Sequence, residues 1–357
     1  MIDVLVVGGG PVGLATAISC TLAGLSVTVA EPRSAPVDKA CGEGVMPAAV
    51  RRLAALGVTP DGHPLRGIRY LDHARQADAR FRHGDGLGVR RTVLHAALAD
   101  RAAALGVQVL PARVTGFTPH PGHVTAAGVE ARYLVAADGL HSLIRRTLDQ
   151  GTAPGRTRPR PGPPRYGLRR HYRVAPWTDL VEVHWTPGAE AYVTPVAADV
   201  VGVALLFARC AGGGTRDGDA GDGFAARLSA FPALAERLGG AATASAVRGA
   251  GPMRQDVRRR VHDRVLLVGD ASGYVDALTG EGISVGLAQA AVLATCLAAD
   301  RPADYERAWH RVSGPAWRFT AGLLWSRHQP LLAPRIVPFA HRFPRLYAAL
   351  VNHAANA

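Results

Sequence analysis

Lysine is almost missing from this sequence: Lys39 stands alone among 41 basic residues, the rest being arginine. With abundant alanine, glycine and proline, that bias matches GC-rich coding and weakens a functional reading of the net charge of +13. A basic chain still attracts anions, which suits an anionic cofactor or substrate. Nucleic acid is not expected, because the arginines are dispersed and no helix-turn-helix, zinc-finger or RNA-binding signature accompanies them. Cysteine is scarce as well. Cys20, Cys41, Cys210 and Cys296 stand far apart, so neither a disulfide framework nor a metal site is implied. No apolar run is long and clean enough to span a bilayer. A basic leader is lacking too. Asp3 stands where one would begin and Gly8, Gly9 and Gly10 break the first apolar run, so the expectation is a cytoplasmic enzyme without a signal peptide. Acid is absent after Glu306, where Arg318, Arg327, Arg335, Arg342 and Arg345 stand among Leu, Phe and Trp. That tail reads as packed helices with a basic outer face, with weak contact to a membrane surface as the alternative. Pro330, Pro334, Pro338 and Pro344 argue against one long amphipathic helix there.

What is present is a globular α/β pattern. Apolar residues make up 48% of the chain, enough for a sizeable core. A Val/Leu strand over 3–7 leads through glycines into a helix over 11–23, and a second strand over 26–30 ends at Glu31. Helices are expected over 46–56, 91–105 and 283–297. Short strands are expected over 67–71, 79–82, 107–110, 113–117, 123–127 and 131–136, then 166–174, 180–185, 191–195, 200–208 and 265–268. The Pro/Arg-rich stretch 151–165 reads as an exposed crossing, and 212–223 as a loop. The fold class expected is α/β with an α+β insertion: a Rossmann-like nucleotide-binding domain, an interleaved antiparallel-sheet substrate domain and C-terminal helices. Residues 1–70, 88–155 and 250–300 are assigned to the first, 71–87 and 156–249 to the second, and 301–357 to the helical segment.

Gly8-Gly9-Gly10-Pro11-Val12-Gly13 matches the dinucleotide fingerprint in its required context, after a strand and opening a helix. Gly8 permits the tight turn, Gly10 admits a pyrophosphate close to the backbone, and Gly13 lets helix pack on strand. Pro11 and Val12 open the helix whose free N–H groups and partial positive charge face the phosphates. Glu31, with Pro32 and Arg33 beside it, ends the second strand where a carboxylate accepts from ribose hydroxyls. The motif alone does not separate NAD from FAD.

Two later motifs do. Asp138-Gly139 ends the strand Leu134-Val135-Ala136-Ala137, followed by Ser142 and Arg145; Gly269-Asp270 ends Val265-Leu266-Leu267-Val268. In order and at strand ends, the three resemble flavoprotein monooxygenases of the p-hydroxybenzoate hydroxylase type. The resemblance covers roughly residues 1–300 as a pattern and implies FAD, with NAD(P)H as transient co-substrate. It implies that Asp270 meets the ribitol of FAD, that Asp138 and Gly139 lie near FAD and NAD(P)H, and that Arg91 meets the phosphates. A helix cap for Asp270 and a solvated surface site for Arg91 are the plain alternatives. Asp276 to Ile283 leads into a helix, and Gly280, Gly282 and Ile283 are expected close to the flavin ring. This segment and Lys39 to Gly44 also resemble geranylgeranyl-reductase-like flavoproteins. Cys41 and Gly42 are placed at the flavin edge, with packing as the simpler role for Cys41.

The implied activity is hydroxylation or epoxidation of a small aromatic or natural-product substrate through a flavin hydroperoxide. No triad or metal is needed, and no catalytic side chain is identified. His184, Trp185 and Tyr192, on expected strands of the antiparallel sheet, are candidates for the substrate pocket, though ordinary packing serves each one singly. The alternatives are a geranylgeranyl-reductase-like reductase or dehydrogenase acting on C=C bonds, a flavin-dependent halogenase, a non-catalytic binder and a plain NAD dehydrogenase. The Tyr-x-Trp-x-Phe-Pro motif of the reductases is missing, as is the Trp-x-Trp-x-Ile-Pro motif of the halogenases. Phenolic, polyketide or indole-like substrates are expected; the oligomeric state is open.

Overall fold

Val4, Leu5, Val6 and Val7 are apolar on both faces, and both faces are covered: none is more than 4% exposed. Such a strand belongs inside a parallel sheet. In the computed structural model, which describes residues 1–150, 163–208 and 220–356, Ile2–Val7 runs parallel to Val27–Ala30 on one side and to Val129–Ala136 on the other. The sheet has eight strands. Its main path is Val261–His262, Val265–Leu267, Val129–Ala136, Ile2–Val7, Val27–Ala30 and Gln108–Leu110. His123–Ala126 and Thr118–His120 extend from Val129–Ala136 as an antiparallel ribbon. Helices Pro11–Leu22, Pro47–Ala55, Arg91–Ala104 and Gly282–Ala298 share one core with the sheet's upper face. Ile144 of helix Leu143–Gln150 joins the core beneath it.

The second sheet has seven strands, in the order Arg248–Ala250, Arg165–Arg173, Val200–Ala208, Ala189–Ala197, Leu180–Thr186, Gly67–Leu71 and Gln76–Arg80. Neighbours are antiparallel except Leu180–Thr186 with Gly67–Leu71. Side chains alternate across it as the strand period of two requires. Ala191, Val193, Val201, Val203 and Leu205 pack against helices Ala220–Leu228 and Pro232–Leu238. Val181, Val183, Tyr192 and Leu206 point the other way, toward a large cleft. A small sheet of Gly44–Val45, His63–Leu65 and Gly86–Gly88 lies between the two. The C-terminal stretch forms helices Asp304–His328, Ile336–Arg342 and Pro344–Ala355, broken near the prolines. Ala340, Tyr347 and Val351 pack on Ala77 and Ala79 of the second sheet.

The α/β class with its inserted antiparallel sheet is as expected, but details differ, among them the strand expected over 79–82, which runs over Gln76–Arg80. No strand occupies 113–117; Thr118–His120 is the strand, and Val114 and Phe117 are apolar because they plug the lower core. The boundary after residue 70 falls too late, because Gly67–Leu71 pairs with Leu180–Thr186 along its whole length. The loop expected over 212–223 gives way to a helix from Ala220; its earlier residues, like 151–162 of the expected crossing and Cys210, lie outside the described residues.

Candidate functional site

The three glycine and aspartate motifs meet because their strands are neighbours. Val7 pairs with Ala136, and Ala136 with Leu267. The residues just beyond, Gly8, Ala137 to Gly139 and Val268 to Asp270, therefore emerge side by side at the carboxyl edge of the sheet, where open α/β folds bind ligands. They line one cleft enclosing about 1980 Å³ between atoms, open solvent at its mouth included.

The cleft wall is glycine-dependent. Gly8 has φ +105°, and a Cβ there would lie 2.6 Å from the Ala137 carbonyl oxygen; at Gly13 it would lie 1.9 Å from that of Gly8. Gly13 is thus the seat of helix Pro11–Leu22 on the turn rather than a wall of the cleft. No side chain caps this helix, which starts at Gly10 with Pro11 in its first turn, so its N-terminal N–H groups and positive dipole end are offered to the cleft. Arg91 is 8% exposed, lines the cleft, and holds one guanidinium nitrogen, Nη1, buried without a partner. Asp138 has the same character. Its Oδ2 accepts from the Leu143 N–H at 2.7 Å, capping helix Leu143–Gln150, while Oδ1 is buried and unpartnered. A buried cation and a buried carboxylate oxygen, each unsatisfied in one cleft, mark a place for a ligand carrying both anionic and hydroxyl groups. The pyrophosphate and ribitol of FAD have those groups, so the residues present fit the cofactor.

Glu31 lies behind the turn, 5% exposed. Its carboxylate accepts from the Gly9 N–H at 2.9 Å and from the Arg33 backbone N–H and guanidinium. Burial opposes its charge, but the Arg33 and Gly9 donors hold its carboxyl below the usual range. It braces the turn and positions Arg33, which reaches the cleft. Neither Glu31 nor Pro32 lines the cleft. Cys41 and Gly42 do, as do Asp270, Gly280, Gly282 and Ile283. Burial pushes the Cys41 thiol up, so it stays protonated.

The opposite wall is the second sheet: Ile68, Val181, Val183, Ala204 and Leu206, with Tyr70 and Tyr192. Tyr192 was expected here and is here, but its hydroxyl is committed, donating to the Leu278 carbonyl at 2.7 Å. Its ring, not its oxygen, is offered to the cleft. His184 is a correction. The strand alternation that sends Val181 and Val183 into the cleft turns His184 to the other face, 3.4 Å from the Glu182 carboxylate. Trp185 is on the cleft side but beyond its end, buried against Tyr70 with ring centroids 5.2 Å apart.

Several side chains brace the cleft in roles the sequence did not assign. The Arg145 guanidinium ties the two aspartate motifs together, donating to the Asp270, Ala271 and Leu140 carbonyls and to Gln255. Gln289 accepts from the Gly269 N–H at 2.7 Å and donates to Ser313. Glu43, at φ +60°, accepts from the Arg91 N–H and bonds His171, pinning the 39–44 loop to the second sheet. Its place between Gly42 and Gly44 was the one available signal. Arg165, Glu190, Asp276 and Arg327 form a buried ionic cluster. Arg165 donates to Glu190 at 2.6 Å and to Asp276 at 3.0 Å, and Arg327 bonds the other Glu190 oxygen. Burial works against the Arg165 charge, yet Glu190 and Asp276 raise its pKa above the ordinary value. Beside this cluster, Glu281 is 4% exposed, with Oε1 unpartnered and Oε2 3.4 Å from the Thr320 hydroxyl. Burial pushes its carboxyl up to about 7, against the pull of Thr279 and Thr320.

Parallel-sheet cleft, uncapped helix terminus and unpartnered Arg91 and Asp138 atoms fit a dinucleotide cofactor. The family comparison is specific about the cofactor: residues 1–159 match the family described as FAD binding domain, and the chain is an FAD-dependent oxidoreductase whose relatives include hydroxylases, monooxygenases and geranylgeranyl reductases. It is similar to digeranylgeranylglycerophospholipid reductase 1 of Methanopyrus kandleri, 28% identical over 80% of this chain and 77% of that one. It is also similar to the 3-(3-hydroxy-phenyl)propionate/3-hydroxycinnamic acid hydroxylase of Paraburkholderia xenovorans, 32% identical over 44% of this chain and 29% of that one. Among solved structures, a flavoprotein/dehydrogenase from Cytophaga hutchinsonii superposes with a TM-score of 0.82 over 99% of this chain and 93% of that one, at 18% identity, a likeness of fold.

Proposed function

We propose that the protein is a monooxygenase that hydroxylates or epoxidises a small aromatic or natural-product substrate, with NAD(P)H as reductant. The observation that carries this reading is the continuity of one cleft, from the uncapped start of helix Pro11–Leu22 to the apolar wall of the second sheet. Held there, FAD would supply the two-electron chemistry that couples oxidation of NAD(P)H to O₂, one oxygen atom entering the substrate and the other leaving as water.

The chain binds, orients and excludes water. Gly8, Gly10, Pro11 and Val12 would hold the pyrophosphate with Arg91 as counter-charge, and Asp138, Gly139, Gly269 and Asp270 the hydroxyl-bearing middle of the cofactor. Helix Gly282–Ala298 also starts without a side-chain cap. Its N-terminus, beside Gly280, would favour negative charge on the ring. Ile68, Val181, Val183, Ala204 and Leu206 supply a dry wall, and the Tyr70 and Tyr192 rings a surface for stacking an aromatic substrate. His184 and Trp185 have no part in this.

A second reading is reduction of C=C bonds, favoured by the length over which the chain follows the Methanopyrus kandleri reductase. One experiment separates the two. The FAD-loaded protein is reduced anaerobically and mixed with phenolic or isoprenoid substrates, with or without ¹⁸O₂. Label in the product supports the oxygenase. Reoxidation by an alkene under strict anaerobiosis, with a saturated product, overturns it in favour of the reductase.

A further inference from the structure

Exposed apolar side chains are not spread evenly over this molecule. Of the eleven large hydrophobic residues exposed among the described residues, seven lie between Trp325 and Leu350. Phe339, Phe343, Leu346 and Leu350 recur at helical spacing across the break between helices Ile336–Arg342 and Pro344–Ala355, and the Phe339 and Phe343 ring centroids are 5.1 Å apart. Leu331, just before them, is 74% exposed. The inner face of the same helices is already satisfied by packing on the second sheet. The outer stripe is therefore an additional apolar face, left in water by the fold.

The charged residues these helices carry are all basic. Arg335, Arg342 and Arg345 are exposed, none forms an ion pair with a carboxylate among the described residues, and no acidic residue follows Glu306. The Arg342 guanidinium lies 5.8 Å from the Phe343 ring, so cation and aromatic share one patch. Aromatic and leucine side chains rimmed by arginine match the boundary between anionic headgroups and acyl chains.

We propose that the outer face of helices Ile336–Arg342 and Pro344–Ala355 docks on an anionic lipid bilayer. Docking is a property of this surface whichever reaction the cleft performs. It has a consequence for substrate access: Val351 and Ala354 of the docking helix line the cleft, so an apolar substrate dissolved in the bilayer would meet the protein beside its cleft. Among the described residues no helix is long and apolar enough to cross a membrane, so the contact is peripheral.

The test uses the full FAD-loaded chain with vesicles of phosphatidylglycerol and phosphatidylcholine, or of phosphatidylcholine alone. Co-sedimentation is expected with the anionic vesicles and release is expected at high salt. Arg342→Gln with Arg345→Gln should weaken partitioning about twenty-five-fold, at about fivefold per arginine. Phe343→Glu with Leu346→Glu should abolish it. All four positions are exposed, and retained flavin absorbance reports that each variant is folded. No binding to anionic vesicles at low salt, equal binding to neutral ones, or unchanged binding by both double variants would each overturn the proposal. So would a concentration-dependent dimer that Phe343→Glu dissolves, which would give the face to a second copy of the chain.

Discussion

Glu281 makes the stability of this protein depend on pH in a direction opposite to that of most carboxylates. Its side chain is 4% exposed, and the residues around the small chamber it lines include Asp270, Tyr274, Asp276, Gln289 and Thr320 but no arginine or lysine. Burial without a counter-ion penalises the charged form and lifts the carboxyl from 4.5 in the open chain to about 7. A group whose folded pKa exceeds its unfolded one contributes stability in full only below the unfolded value. That contribution is lost as pH rises through the folded value. Over the whole window the loss is about 3 kcal/mol, and most of it falls between pH 5 and pH 8. Glu281→Gln keeps the shape and removes the titration. Urea unfolding of both proteins, at the same cofactor loading, should show the wild type losing about 2–3 kcal/mol more than the variant between those pH values. Parallel stability profiles would refute the reasoning and place a compensating cation or ready solvent access at Glu281.

Four further outcomes follow from the same structure. Arg165→Met should cost about 3–5 kcal/mol in urea unfolding, because Glu190 and Asp276 are left buried with one partner fewer. Tyr192→Phe keeps the ring in the cleft but removes the bond to the Leu278 carbonyl, so about 1 kcal/mol of stability should go; FAD affinity, read by flavin fluorescence, should fall more than affinity for an aromatic substrate. Gly13→Val puts side-chain atoms where the Gly8 carbonyl stands, and the purified protein should lose its flavin absorbance. His184→Ala, on the face of the sheet away from the cleft, should leave FAD affinity and turnover unchanged while lowering stability in urea unfolding, since the ring is largely buried against Glu182.

The half of the cleft that was legible in the sequence is the half built from strand ends. Gly8, Asp138 and Asp270 could be found because each terminates a Val/Leu run, and a parallel sheet brings the ends of neighbouring runs to one edge. Nothing local states which face of a strand looks into a cleft. His184 and Val183 are adjacent in an apolar stretch, and only the pairing of Val183 with Tyr192 decides that one lines the cleft and the other does not. The braces were illegible for a related reason. Arg145, Gln289 and Glu43 are unremarkable as residue types, and each acts by reaching a backbone group far away in the sequence. Glu31 stands at the expected strand end, and within the chain its donors are Gly9 and Arg33.

The segment from Asp276 to Gly282 is where these long-range contacts converge, and they come from the second sheet and from helix Asp304–His328. Arg165 holds Asp276 from the second sheet, and Tyr192 of the same sheet holds the Leu278 carbonyl. The Thr279 hydroxyl bonds Thr320 on helix Asp304–His328, at 2.7 Å. Arg327 of that helix bonds Glu190, the second partner of Arg165. The segment that carries Gly280 and Gly282 to the cofactor cleft is therefore fixed by the substrate wall and by the helix leading to the C-terminal face, more than by its own sheet. A change in packing on either side reaches the cleft through Asp276 or Thr279. Such coupling predicts that Arg165→Met shifts the absorbance spectrum of bound flavin as well as lowering stability. The substitution would otherwise act only through global unfolding, and the spectrum of the folded fraction would not move.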